Sequence, residues 1–160
     1  MSRQRLTNAF SLKGRSRQMI QIYDKLPEAA KRIREEVFMK EQVFQDEFDS
    51  LDAISRHAVI EVDGIPAGTC RFYQGETPST WVIGRVAVSQ AYRGRHLGSL
   101  LIEAAEKDAS QKQAERMILH AQCTAAPFYE KLGYKGFGEV DEDEGCPHIW
   151  MEKDLLKAEK

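Results

Sequence analysis

The sequence is short of the features that mark membrane, secreted and nucleic-acid-binding proteins. Its apolar runs are too short to span a bilayer, and its N-terminal stretch lacks the long apolar segment of a secretory signal. Cysteine is scarce: Cys70, Cys123 and Cys146 are an odd number at wide spacing, a poor disulfide framework without a C-x-x-C zinc pair. Free thiols, a reducing cytoplasm and no metal are therefore expected. Positive charge is not in surplus. The 23 Lys and Arg stand against 25 Asp and Glu, a formal net charge of −2, which argues against a general nucleic-acid binder. Internal repeats, low-complexity blocks and long linkers are missing, so no second domain is expected. The phosphate-binding patterns G-x-x-x-x-G-K-[ST] and G-x-G-x-x-G are absent as well.

What is present suits one globular domain: 160 residues, 42% hydrophobic and 30% charged. Its first stretch is unusual. Met1 to Gln18 carries Arg3, Arg5, Lys13, Arg15 and Arg17 and no acidic residue. Residues 1–17 read as a mobile, solvated basic tail; an acidic docking partner or organelle targeting are the alternatives. The domain proper is expected over 18–160.

The pattern along that domain alternates between strand and helix. Met19 to Tyr23 reads as a strand. Pro27 can open a helix, since its missing N–H would be unpaired there. Ala30, Ile33, Val37 and Phe38 then give a helical stripe ending near Glu41 and Gln42. Phe44 to Ser55 reads as acidic and irregular. Ala58–Val62 and Ile65–Tyr73 are strands around Asp63-Gly64, a two-residue hairpin turn in which both positions need positive φ. Trp81–Val88 is a strand, and Leu97, Leu100, Leu101, Ala104, Ala105 and Asp108 mark a helix from His96 to about Gln111. Met117–Leu119 is a strand and Ala125–Leu132 a short helix closed by Gly133. Two more strands are expected between Tyr134 and Asp154, around an acidic turn at Asp141–Gly145. The class is α/β or α+β, with a mixed sheet and helices on its faces.

Chemistry concentrates where the strand Ile83–Val88 runs through a short turn, Arg93-Gly94-Arg95-His96-Leu97-Gly98, into the helix from Ser99. A helix N-terminus offers unpaired N–H groups and the positive end of the macrodipole, and a Gly-containing turn lets them close around a pyrophosphate. Arg93 and Arg95 add positive charge. This stretch resembles the diphosphate loop of the GNAT superfamily of acetyl-CoA-dependent N-acetyltransferases, [RQ]-x-x-G-x-[GA]. Arg93 and Gly98 match, and His96 replaces the middle Gly. A second stretch, Gln122-Cys123-Thr124-Ala125-Ala126-Pro127-Phe128-Tyr129, then Leu132-Gly133-Tyr134, resembles the family's N-x-x-A-x-x-F-Y and L-G-[FY], with Gln for Asn at the first position. The two motifs lie in the family's order, with one helix and one strand between them. Glu144 to Ile149 and Lys40-Glu41-Gln42 look like the ElaA/YjcF-like bacterial branch.

The resemblance implies a largely antiparallel mixed sheet of about seven strands flanked by about four helices. It also implies an acetyl-CoA cofactor serving as acyl donor. Val86, Ala87 and Val88 would lie on a bulged strand whose backbone binds the pantetheine arm and thioester oxygen. Arg93, Gly94, Arg95, His96, Leu97, Gly98 and Ser99 would hold the diphosphate, with Gln122 and Tyr129 also at the cofactor. Tyr129 would lie beside the sulfur. A phenol near pKa ~10 can protonate a well-placed leaving thiolate, so Tyr129 is the candidate general acid. The alternative is a packing tyrosine with Phe128 as its core neighbour.

The base is open among Glu41, Asp49, His148 and a water chain. Histidine as a residue type can accept a proton near neutrality without much tuning, which makes His148 a candidate, whereas Glu41 would need burial to raise its pKa. Arg71 and Arg85, on neighbouring strands, suit a carboxylate or phosphate on the acceptor, or equally pair with Asp or Glu. The acidic Asp46–Asp52 loop favours a cationic acceptor. The expected partner is a small-molecule or peptide amine, with no nucleic acid, no membrane and a possible homodimer. Two rival readings stay open: a non-catalytic acyl-CoA sensor, which His96 in place of Gly would suit, and an interaction module working through the basic tail.

Overall fold

A computed structural model of the chain describes residues 3–6, 16–42, 48–143 and 145–156. They fall into two compact units, one comprising 1–73 and 85–105, the other 74–84 and 106–160.

The first unit begins with β1 (Arg3–Leu6) and β2 (Gln18–Tyr23), paired antiparallel. Part of the stretch expected to be a mobile tail is therefore a strand, and residues 7–15 lie outside the described ones. Helix α1 (Glu28–Arg34) opens after Pro27, whose carbonyl accepts the Lys31 N–H at 3.1 Å. Beyond Arg34 the helix widens into a π segment, Glu35–Glu41, closed by a bond from Gln42 N to Val37 O at 3.0 Å, five residues back. The expected apolar stripe is buried: Ile33, Val37 and Phe38 form a core cluster with Ala87. Residues 43–47 of the irregular acidic stretch lie outside the described ones. A single helical turn, α2 (Leu51–Ile54), follows.

Strands β3 (Arg56–Val62) and β4 (Ile65–Gln74) meet at the expected turn. Val62 pairs with Ile65, and Asp63 and Gly64 take φ of 51° and 82°. Within this unit the strand order is β1-β2-β3-β4. A Cβ at Gly68 would sit 3.1 Å from the Ala87 carbonyl and from the Leu101 side chain, so glycine permits the close approach of β4 to both.

Strand β5 (Thr80–Val88) and helix α3 (Leu97–Gln111) each run from one unit into the other. In the second unit, Thr80–Ile83 pairs in parallel with β6 (Arg116–Gln122). After helix α4 (Ala126–Lys131), β7 (Lys135–Asp143) and β8 (Cys146–Asp154) form a hairpin whose β8 also pairs with β6, giving the order β5-β6-β8-β7. The acidic residues Asp141 to Asp143, expected in a turn, are strand residues of β7. Helix α4 ends as its sequence predicts. Gly133 takes φ 98°, and the N–H groups of Leu132 and Tyr134 both return to the Tyr129 carbonyl. Trp81, Ile83, Met117, Leu119 and Met151 are buried here.

The described residues thus hold eight strands and four α-helices, with one parallel pairing among antiparallel ones. The class is the mixed α/β fold expected, with one strand more than the seven because β1 forms in the basic stretch.

Candidate active site

The turn ahead of α3 holds two residues in the left-handed region. Gly94 takes φ 80° and His96 φ 60°. His96 therefore stands in the left-handed region that a glycine would favour, which His visits more readily than most side chains. Its carbonyl accepts the first helical bond, from Leu100 N at 3.2 Å, so His96 works as the N-cap. The N–H groups of Leu97, Gly98 and Ser99 then fall in the first turn, where no residue of the helix can accept from them. Arg93 to His96 are exposed, and the first turn has no acidic side chain to neutralise the helix's positive end. The Arg95 guanidinium lies 5.3 Å over the Tyr92 ring.

The strand before the turn is interrupted. Parallel pairing with β6 runs from Thr80 to Ile83, and two residues later Arg85 takes φ 51° inside β5. A non-glycine residue in that conformation cannot continue a regular extended strand, so β5 is kinked next to Val86, Ala87 and Val88.

The π segment braces this region from two points. Ser89 Oγ donates to Glu36 at 3.1 Å, and Arg93 donates to both Glu41 oxygens at 2.6 and 2.8 Å and through Nε to the Val88 carbonyl at 3.0 Å. This bears on Glu41 as a base. A base needs its pKa raised, and the Arg93 hydrogen bonds hold the Glu41 carboxyl below the ordinary value. Glu41 is a charge partner of the turn.

Arg71 and Arg85 meet carboxylates of their own chain. Arg71 bonds Asp49 at 2.6 and 3.2 Å and Asp52 at 3.0 Å, Arg34 bonds Asp52 at 2.7 and 3.1 Å, and Arg85 reaches Asp49 at 3.4 Å. Arg34, Arg71 and Asp52 are buried, so these charges must be paired. Arg71 is thus a link in an internal ion network, which favours the pairing alternative over an acceptor carboxylate. The acidic loop changes meaning with it, because Asp49 and Asp52 already face arginines. Burial alone would raise the Asp49 pKa, but hydrogen bonds and charge from Arg71, with Arg85, hold it low, which disfavours it as a base too. His57 closes the network, its Nε2 3.0 Å from the Asp52 carbonyl, and burial lowers its pKa.

Gln122, Tyr129 and His148 belong to the second unit. Gln122 faces His148 in the β6–β8 register. His148 is buried, its Nδ1 2.8 Å from the Cys146 carbonyl. Tyr129 lies on α4 with its ring 5.0 Å from Phe128 and 6.2 Å from Tyr134, edge to face in both cases. Phe128, a core neighbour only under the alternative of a packing tyrosine, is 37% exposed. Tyr134 is the buried member, donating to Glu106 at 2.7 Å, with Lys153 on the other Glu106 oxygen at 3.0 Å. The three cysteines are free thiols, and burial pushes the Cys70 pKa up to about 12, which makes it inert. No described helix is long and apolar enough to cross a membrane.

Sequence reasoning missed the ion network and the π segment. Asp49 and Asp52 look like loop acids, and which arginines they meet depends on pairings distant in sequence.

Known proteins share this chain's sequence pattern and fold. Residues 21–155 match the acetyltransferase (GNAT) domain family. An uncharacterized N-acetyltransferase of Bacillus subtilis, YjcF, is 36% identical over 125 residues, covering 76% of this chain and 88% of that protein. The crystal structure of a putative N-acetyltransferase from Lactobacillus plantarum superposes with a TM-score of 0.80 at 31% identity, covering 87% of this chain and 99% of that one. Escherichia coli ElaA superposes at 0.75 with 26% identity, over 87% and 99%.

Proposed function

The chain belongs to the GNAT acetyltransferase family and is an acyltransferase, and from that premise we propose that it moves an acetyl group from acetyl-CoA directly to an amine of a small molecule or peptide. The observation that carries the reading is the exposed turn before α3. Gly94 and His96 are both left-handed there, the first helical turn is free of acid, and Arg93 and Arg95 stand beside it. Such a turn suits a diphosphate. The sensor reading leaned in part on His96, and the glycine-like backbone path of His96 removes that argument for it.

In the proposed reaction the amine nitrogen bonds to the acetyl carbon and the carbon–sulfur bond breaks. The amine loses one proton and the thiolate gains one. Backbone N–H groups on the kinked stretch Val86–Val88 polarise the thioester oxygen, and Tyr129 gives the thiolate its proton. For the amine's proton, His148 is the side-chain candidate left, because Glu41 and Asp49 are committed to arginines. Its Nδ1 must carry a hydrogen to meet the Cys146 carbonyl, so in the neutral ring Nε2 holds the lone pair. One domain that includes β1 as well as 18–160, acting in the cytoplasm, is part of the same reading.

The test is calorimetric titration of the full chain with acetyl-CoA, with desulfo-CoA and inorganic phosphate as controls, followed by an amine panel read by thiol release. Saturable binding that needs the whole cofactor, with amine-dependent release, is expected. No binding at about 1 mM acetyl-CoA, the upper end of typical KM values, would overturn the reading.

A further inference from the structure

We propose that His120, Asp143 and His148 form a binding site for a divalent cation of the zinc type. One ligand atom from each lies within 4.8 Å of the other two. Strand register brings them together. In the β6–β8 ladder His120 faces Trp150 and Gln122 faces His148, so the two histidines are diagonal neighbours on one face. In the β7–β8 ladder Asp141 faces His148 and Asp143 faces Cys146, which puts both aspartates on that face as well. No local spacing motif exists because each ligand comes from a different strand.

The hydrogen bonds around the cluster prepare two metal-ready nitrogens. A carbonyl only accepts, so the bond to Cys146 O places the hydrogen of His148 on Nδ1 and leaves the Nε2 lone pair. The His120 Nε2 lies 2.7 Å from Asp141 Oδ1, and a carboxylate also only accepts, so neutral His120 presents Nδ1. A ring nitrogen held by a carboxylate or carbonyl while the other binds metal is the usual outer-shell support of a metal site. Stacking fixes the His120 ring, with centroids 4.7 Å from His148 and 4.8 Å from Trp150. His148 is buried and anchored, and Asp143 is exposed and free to rotate. Ligands about 2.1 Å from a tetrahedral centre lie about 3.4 Å apart, so atoms already within 4.8 Å of one another need draw together by no more than about 1.4 Å. Two imidazoles and one carboxylate suit zinc, whereas magnesium and calcium prefer oxygen. A fourth position stays open to water.

The assignment does not rest on the acyl-transfer reading, since its readout is metal binding, but it competes with one part of it: a cation on His148 Nε2 takes the lone pair a base would use, and the amine's proton then goes to water. With the untagged full chain, ZnCl2 at a hundredfold excess over Kd is expected to raise Tm by about 5–10 °C. Asp143→Ala and His120→Gln should abolish the rise. Asp141→Ala, which removes only the outer-shell acceptor, should weaken affinity by about tenfold or more. His96→Gln, which removes an exposed histidine elsewhere, should leave the zinc-induced rise in Tm unchanged. Asp143 and Asp141 are exposed, so their variants keep the test valid if His120→Gln fails to fold. No rise with zinc, or a rise that survives Asp143→Ala undiminished, would overturn the site.

Discussion

Arg93 clasps both oxygens of Glu41, at 2.6 and 2.8 Å, from the first position of the turn that leads into α3. The pair joins the π segment to the turn, and it fixes the charge of Glu41. The lowered pKa means the pair is intact above the ordinary carboxylate range and is lost only as pH falls through the lowered value. Glu41 is therefore charged and hydrogen-bonded wherever an amine could be acetylated. Glu41→Gln is expected to leave kcat within about threefold and to cost less than about 1 kcal/mol, since the pair is more than one-third exposed. Steady-state rates across pH check this. A hundredfold fall in kcat would restore Glu41 as the base.

Asp52 should behave in the opposite way, because its partners are buried. Burial alone would raise its pKa, but hydrogen bonds and charge from Arg34, with the Asp49 N–H and Arg71, bring it from 3.8 to about 2. A folded-state value below the unfolded one stabilises the fold above the unfolded pKa. The gain is about 2 kcal/mol, and it disappears as pH falls from near 4 through about 2. Asp52→Asn leaves Arg34 and Arg71 buried without their shared anion, and should cost about 3–5 kcal/mol at neutral pH. Urea unfolding between pH 6 and pH 2 checks both. The wild type should lose stability over the acid range more steeply than the variant, and parallel curves would contradict the assignment.

His96 allows the left-handed turn to be tested by substitution. Replacing it with Gly relieves a strain of about 1 kcal/mol but raises the entropy of the unfolded chain by a similar amount, so His96→Gly should be neutral within about 0.5 kcal/mol. His96→Val puts a β-branched side chain at φ 60° and should cost about 1–2 kcal/mol. Thermal unfolding of the two variants separates them. Equal stabilities would mean that the turn is held in some other conformation.

The sequence showed what is local and lost what is distant. The Asp63-Gly64 turn, the apolar stripe of α3 and the Gly133 helix end were legible because each is decided by a few adjacent residues. The strand, turn and helix of the candidate site were legible for the same reason, and His96 takes the positive φ of the glycine it replaces. Arg71 was ambiguous because its partners, Asp49 and Asp52, come from the loop around α2, and no spacing rule links a loop acid to a strand arginine. The grouping of His120, Asp143 and His148 depends on the register of three strands, which a one-residue slip would have undone. The π segment has no pattern of its own, since Val37 and Phe38 satisfy an ordinary helical stripe equally well.

Tyr129 decides between catalysis and mere binding. Tyr129→Phe removes one oxygen and keeps the ring that packs edge to face against Phe128 and Tyr134, so the fold around α4 should be unchanged. If Tyr129 protonates the leaving thiolate, kcat should fall by about 100-fold, the low end of what a positioned acid contributes, while Kd for acetyl-CoA stays within about twofold. A purely packing tyrosine would give unchanged kcat, and a cofactor-binding one would raise Kd without a separate loss of turnover. Calorimetric Kd and steady-state kcat measured on the same preparation therefore assign the hydroxyl to one of the three roles.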